Sequence, residues 1–349
     1  MNLGLRQLES FLHKHRTDQS LVLAMVTAVE GSSYRKPGAM MLVSSSLEFT
    51  GLISGGCLEG DLVEHAAAVL ADGVPRAVTY DLSGADDAIL GLGLGCGGTV
   101  HLLLQRLERA AGFGFLPALF RAVSERKTCL LAIALDDRSG VSPAVTALSI
   151  EGQTEGNAVL SVFLEGRYEN WQTASRFAYT GAGNCVLLVR IEPPPRILLC
   201  GAGPDAIPVA RQVDMLGWEC IVVDHRSAYA RADRFPASVE VKCLQPGSLH
   251  DEVDVGLLDA AVVMSHNLVH DKTYLSLLES KGLSYLGLLG PRVRHDTLKE
   301  ELGITGQKIH GPAGFDIGAE LPESIALSIV AEIHAVLSLK PGKHDPRQA

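Results

Sequence analysis

Ile197-Leu198-Leu199-Cys200 runs directly into Gly201-Ala202-Gly203-Pro204-Asp205-Ala206, and this junction restricts the fold more than any other stretch of the chain. A short apolar strand passing through two glycines into a helix has the G-x-G-x-x-A spacing of a nucleotide-binding turn, with Ala206 where the third glycine is replaceable. The first glycine permits the tight turn, and the second lets a phosphate approach the backbone at the helix N-terminus. Further along, ECIVVD (219–224), AAVVMS (260–265) and SYLGLL (284–289) read as strands, with helices over 205–216, 271–281 and 322–339. Strands alternating with helices specify an α/β fold with a doubly wound parallel sheet. In such a sheet ligands bind at the carboxyl ends of the strands, which makes Gly201, Gly203, Asp224 and His266 candidates for holding NAD(P). Asp224 stands where an acid bonds an adenosine ribose, and His266 follows a strand end. The competing reading is that the two glycines only close helix on strand and the crevice holds nothing. His225, beside Asp224, reads as a loop cap.

Glu192-Pro193-Pro194-Pro195 separates this texture from what precedes it, since consecutive prolines form a stiff connector. The 349 residues therefore read as a first domain over 1–191, a second over 196–340 and a disordered tail over 341–349. In the first domain, Leu3, Leu5, Leu8, Phe11 and Leu12 recur at helical spacing. LVLAMVTAVE (21–30), AMMLVS (39–44), AVTYDL (77–82) and TVHLLLQRL (99–107) read as strands. A helix over 58–71 carries acidic residues in its first turns, where they complement the helix dipole. TCLLAIALDD, PAVTALSI, NAVLSVFLEG and CVLLVRIE read as β segments, and 110–185 carries no functional signal.

Two loops in the first domain repeat one chemical idea. Ser54-Gly55-Gly56-Cys57 places a thiol just before a helix, and Gly93-Leu94-Gly95-Cys96-Gly97-Gly98 places another among glycines before a strand. Glycines admit a bulky anionic ligand to the backbone and can aim successive N–H groups at it. A cysteine at a helix start has its thiolate favoured, so Cys57 and Cys96 are candidate soft-metal ligands or nucleophiles, with Cys57 expected to be the more reactive. The Cys/His spacing of a zinc site is absent. Cys129, Cys185, Cys200, Cys220 and Cys243, in or beside strands, read as small buried apolar residues. Gly31-Ser32-Ser33-Tyr34-Arg35-Lys36-Pro37-Gly38 adds Ser33 and Arg35 as candidate phosphate contacts, the alternative being a solvated hairpin loop.

Thirty Lys and Arg against forty Asp and Glu leave a net charge of −10, which argues against nucleic acid as a partner. The apolar runs fall short of the ~20 residues that span a bilayer, and the first residues lack a secretory h-region. Seven cysteines spread over a long chain point to reduced thiols and a cytoplasmic protein.

GSSYRKPGAMMLV, GLISGGCLEGDLVEHA and GLGLGCGG together resemble the first-domain motifs of the XdhC/CoxI family, maturation factors for xanthine and carbon monoxide dehydrogenases. LLCGAG…VVDHR…RFP, VVMSHN…D, YLGLLGPR and GPAGFDIGAELPESIALSIVAEI are similar to that family's Rossmann domain, at both ends of the chain and in order. Pro291 stands where serine is expected, and Phe315 where leucine is usual. The resemblance implies an accessory factor rather than a catalyst, which binds the molybdenum cofactor (molybdopterin), protects it and assists its sulfuration by a cysteine desulfurase. It further implies delivery to a xanthine dehydrogenase-type molybdenum hydroxylase and a homodimer. On that reading Cys57 and Cys96 hold molybdenum, and Gly55, Gly56, Gly97, Gly98, Ser33 and Arg35 surround the pterin phosphate. The rival readings are an NAD(P)-dependent oxidoreductase working at the second domain and a non-catalytic interaction protein.

Overall fold

The computed structural model describes residues 4–82, 98–135, 144–165, 167, 175–179, 185–303 and 309–338. The chain forms two compact units, Met1–Pro193 and Pro194–Ala349, divided within the proline run.

The first unit opens with α1 (Leu5–Lys14), whose Leu5, Leu8, Phe11 and Leu12 are buried. Then follow β1 (Ser20–Gly31), β2 (Met40–Val43), β3 (Phe49–Thr50), α2 (Glu59–Asp72), β4 (Arg76–Asp81) and β5 (Gly98–Glu108). These strands make one antiparallel sheet in the order β3-β2-β1-β5-β4. One face packs on α2 through Val22, Ala24, Val26, Leu62, Ala66 and Val69. α3 (Leu116–Ser124) joins α1 on the other face. A second antiparallel sheet, β8-β7-β6-β10-β9, comprises β6 (Cys129–Ala134), β7 (Thr146–Ile150), β8 (Gln153–Gly156), β9 (Ser175–Tyr179) and β10 (Cys185–Ile191). Leu131, Ile133, Leu187 and Val189 of that sheet share a core with Leu21, Leu23 and Met25 of β1.

NAVLSVFLEG, which reads as β, is instead the helix α4 (Ala158–Leu164). Asn157 Oδ1 accepts from Val159 N and Leu160 N and so caps the helix. Leu160, Phe163 and Leu164 bury one face at i, i+3, i+4 spacing, and this pattern overrides the strand preference of valine and phenylalanine.

The second unit is a six-stranded sheet in the order β13-β12-β11-β14-β15-β16. Its elements are β11 (Arg196–Cys200), α5 (Ala206–Met215), β12 (Glu219–Asp224), β13 (Glu240–Cys243), α6 (Leu249–Glu252), β14 (Ala260–Val263), α7 (Leu268–Leu278), β15 (Tyr285–Leu288), α8 (Arg292–Leu302), β16 (Ile309–His310) and α9 (Pro322–Ser338). Every strand pair is parallel. β11 lies between β12 and β14, so the chain reverses its winding beside the glycine turn: the order of a Rossmann fold with its switch point there. Ile197, Leu199 and Val222 pack against α5 and α9 on one face, and Leu198, Cys200 and Val223 against α7 on the other. Among the described residues no helix is long and apolar enough to cross a membrane.

Candidate cofactor site

Strand register brings the Cys57 loop and the Ser33–Arg35 loop to one end of the first sheet. The last residue of β1, Gly31, is opposite Gly98 at the start of β5. Asp81, ending β4, pairs with Thr99, and Leu82 N donates to Gly98 O at 3.0 Å. The loop 32–39 returns from β1 to β2, with Gly38 N donating to Val26 O. Thr50 of β3 is opposite Leu42, and the chain then runs back along Met40 and Met41 toward the same end. The loop 51–58, the loop 32–39 and the start of β5 therefore share that end. Cys96 and Gly97 lie outside the described residues.

The cysteine loop is built around a serine and a glutamate. Glu59 Oε1 accepts from Ile53 N at 3.0 Å and Ser54 N at 2.8 Å, while Ser54 Oγ donates to Oε2 at 2.5 Å. Ser54 Oγ in turn accepts from Gly56 N, Cys57 N and Leu58 N at 3.2, 3.0 and 3.0 Å. Three successive N–H groups do converge, but on the chain's own hydroxyl. The expectation that they point at a ligand anion is thereby corrected. Sequence reading assigns Glu59 only to the helix dipole and misses this role. The signal for it is a capping arrangement in Ser54-x-x-x-x-Glu59, longer by two residues than the familiar box.

Burial works to raise the Glu59 pKa, but the hydrogen bonds from Ser54 and Ile53 outweigh it and hold the carboxyl below its ordinary 4.5. A group with a lowered folded pKa stabilises above its unfolded value, and the contribution is lost as pH falls through the folded one. Glu59→Ala should therefore loosen the loop by about 2 kcal/mol, the scale of hydrogen bonds to a charged group. Hydrogen exchange at Ile53, Ser54 and Gly56–Leu58 reads this directly, and acid below pH 4.5 should reproduce it in the parent. Unchanged protection in Glu59→Ala would show that the carboxylate does not hold the loop.

Within this frame Cys57 is exposed. Gly56 has φ +106°, which only glycine adopts readily, and a Cβ placed at Gly55 or Gly56 meets nothing within 4 Å among the described residues. Among the described residues, nothing covers the loop tip. Gly98 differs: a Cβ there would lie 2.2 Å from Ser32 O and 2.6 Å from Glu30 O, so its lack of a side chain serves the approach of β1 and β5. Ser33 Oγ is spent on Arg35 O at 3.0 Å. Arg35 is half-buried and makes no ion pair among the described residues, which leaves its guanidinium for an anion.

The other thiols divide by burial. Cys129, Cys200 and Cys220 are buried. Burial, with Glu155 and Glu151 nearby, pushes Cys129 up to about 12; burial and Asp214 do the same for Cys220. Complete burial, with Asp271 nearby, pushes Cys200 far above its ordinary range. Cys243, expected to be buried, is exposed because β13 is an edge strand, and Cys185 is half-buried.

In the second unit Asp224 is buried, and its carboxylate accepts from Ala202 N at 2.8 Å and from Arg226 N, Nε and Nη2 at 2.9, 3.0 and 2.8 Å. Burial alone would raise its pKa, but the Arg226 and backbone hydrogen bonds bring it down to about 2. His266 stands past the end of β14 at φ +56°, and its Nε2 donates to Asp205 Oδ2 at 2.7 Å. Asn267 Oδ1 caps α7, and Asp271 is buried against Ser265 Oγ and Arg294. His225, which reads as a loop cap, lies edge-on against His270. Among the described residues, no three His, Cys, Asp or Glu side chains cluster closely enough to hold a metal ion.

Residues 197–333 match the model of the XdhC Rossmann domain, and 15–81 that of the XdhC and CoxI family. A Bacillus subtilis protein named as a probable xanthine dehydrogenase subunit is 33% identical over 330 residues, covering 90% of this chain and 92% of its own. The chain belongs to the XdhC/CoxI family. Another relative, the Escherichia coli molybdenum cofactor insertion chaperone PaoD, is 23% identical over 322 residues, 90% of this chain and 83% of PaoD. A Bacillus halodurans crystal structure described as a xanthine dehydrogenase superposes with a TM-score of 0.80 at 30% identity, over 96% of this chain and 97% of that one. The XdhC/CoxI match at 15–81 contains the braced Cys57 loop and the Arg35 loop, and the Rossmann match contains Gly201, Asp224 and His266.

Proposed function

We propose that this chain is a maturation factor that carries the molybdenum cofactor as cargo. In this reading it protects the cofactor, assists its sulfuration by a cysteine desulfurase and hands it to a xanthine dehydrogenase-type molybdenum hydroxylase, acting as a cytoplasmic homodimer. The names of PaoD and of the Bacillus subtilis relative support the role. The observation that carries it is Cys57: an exposed thiol on a loop fixed by Glu59 and Ser54, with nothing among the described residues lying over Gly55 and Gly56. Molybdenum bearing sulfur ligands is soft and favours thiolate donors. Cys57 supplies one such donor, and Cys96, from the other glycine loop, is the proposed second. Arg35 supplies charge for the pterin phosphate. The N–H groups after Ser54 are taken, so recognition falls to side chains and to backbone groups outside that nest.

The test is the protein isolated from cells making the cofactor, with bound molybdenum and pterin measured. Cys57→Ser and Cys96→Ser should each lose the bound metal tenfold or more, about 1.4 kcal/mol at least, with an unchanged melting curve. Cys129→Ser should keep it. Parental molybdenum content in both serine variants would reject the reading.

A further inference from the structure

The strand order of the second unit implies a dinucleotide in the crevice beside Gly201 and Gly203, and the residues there do not fit one. We propose that Asp205 is a built-in occupant of the pyrophosphate seat, so that the crevice refuses NAD(P)(H) and related adenine dinucleotides.

The second glycine of the turn leaves out a Cβ so that a phosphate can take its place against the backbone. At Gly203 that place is filled from within: a Cβ would lie 2.5 Å from Asp205 Oδ1 and 3.7 Å from Asp205 Cγ, with His266 Cδ2 at 4.0 Å. The carboxylate is held there. His266 Nε2 donates to its Oδ2, and His266 reaches it from a left-handed backbone, φ +56°, that a β-carbon-bearing residue keeps only when its surroundings enforce it. Asp205 Oδ1 is buried and has no hydrogen-bond partner among the described residues. It asks for a donor, whereas a pyrophosphate brings only acceptors and negative charge, and like charges in one partly buried site repel.

The ribose point is likewise taken. Asp224 receives Ala202 N–H and three donors of Arg226, so its carboxylate pins the glycine turn to β12 and has its lone pairs committed. Both features that would recognise a dinucleotide are satisfied by the chain itself. The inference stands apart from the cysteine-loop reading, whose residues lie in the first unit.

The experiment titrates the full-length protein with NADH, read by nicotinamide fluorescence, and with ADP, read by calorimetry. The parent should show no saturable binding at submillimolar ligand. Asp205→Ser, which clears the seat, should bind at least about tenfold tighter than the parent. Asp205→Asn keeps the size and the His266 contact while removing the charge; it should gain in the same direction and serves if Asp205→Ser melts early. Micromolar NADH or ADP binding by the parent overturns the proposal. So does a folded Asp205→Ser or Asp205→Asn that binds no better than the parent.

Discussion

Gly201→Ala should cost the second unit a large share of its stability. Gly201 sits at φ +133°, a region that residues with a Cβ avoid, and an added Cβ would lie 2.3 Å from Met264 O, 2.7 Å from Met264 C and 3.0 Å from Ser265 N. These are backbone atoms just past β14, and Met264 N itself donates to Cys200 O at 2.9 Å, so neither side can yield without parting the central strands. Backbone strain and overpacking together should cost about 4 kcal/mol or more, against roughly 5–15 kcal/mol for a whole domain. We expect a melting temperature lower by more than about 10 °C and early proteolysis within 194–338, with peptides of the first unit still protected. A parent-like melting curve would mean that the turn is not fixed by this approach.

Glu332→Ala should be nearly as damaging. Glu332 is buried on α9, and its carboxylate collects His310 Nδ1 from β16, Tyr285 OH from β15 and Gly314 N, each at 2.8 Å. Burial opposes ionisation, but the hydrogen bonds from His310, Tyr285 and Gly314 outweigh it and hold the pKa below 4.5. Alanine would take this shared acceptor from the buried Tyr285 hydroxyl and His310 ring and from the half-buried Gly314 N–H, for which about 3–5 kcal/mol is the expected cost. Since the folded pKa is the lower one, the carboxylate stabilises fully above pH 4.5, and its contribution fades as pH falls through the folded value. The melting difference between parent and variant should therefore be largest near neutral pH and shrink in acid. A difference that is small, or constant with pH, would remove Glu332 as the staple between α9 and the sheet.

The second unit is the more legible half because its signals are local. Strand, glycine pair and helix follow one another within a dozen residues, and the apolar runs of β11, β12, β14 and β15 are continuous because both faces of a parallel sheet are covered. The expected helix over 205–216 is α5 at Ala206–Met215, and that over 322–339 is α9 at Pro322–Ser338. The helix expected over 271–281 starts earlier, at Leu268, because Asn267 caps it. α4 reads as a strand because Val159, Val162 and Phe163 favour strands singly, while the placement of Leu160, Phe163 and Leu164 on one core decides otherwise.

By itself the sequence determined most kinds of element outside α4, the parallel winding of the second unit and which loops carry thiols and glycines, since each is written in contiguous residues. Only the tertiary structure decided what the polar groups of those loops are doing. A hydroxyl, a carboxylate or an N–H is spent or spare according to what lies within 3 Å of it, and those neighbours come from elsewhere in the fold or from an unforeseen turn of the chain. So Ser54 fills the nest beside Cys57, Glu59 turns back to hold Ser54, Asp224 is committed to Ala202 and Arg226, and Asp205 lies over Gly203. Spacing can place a residue at a loop, but it cannot say which of its bonds are already made.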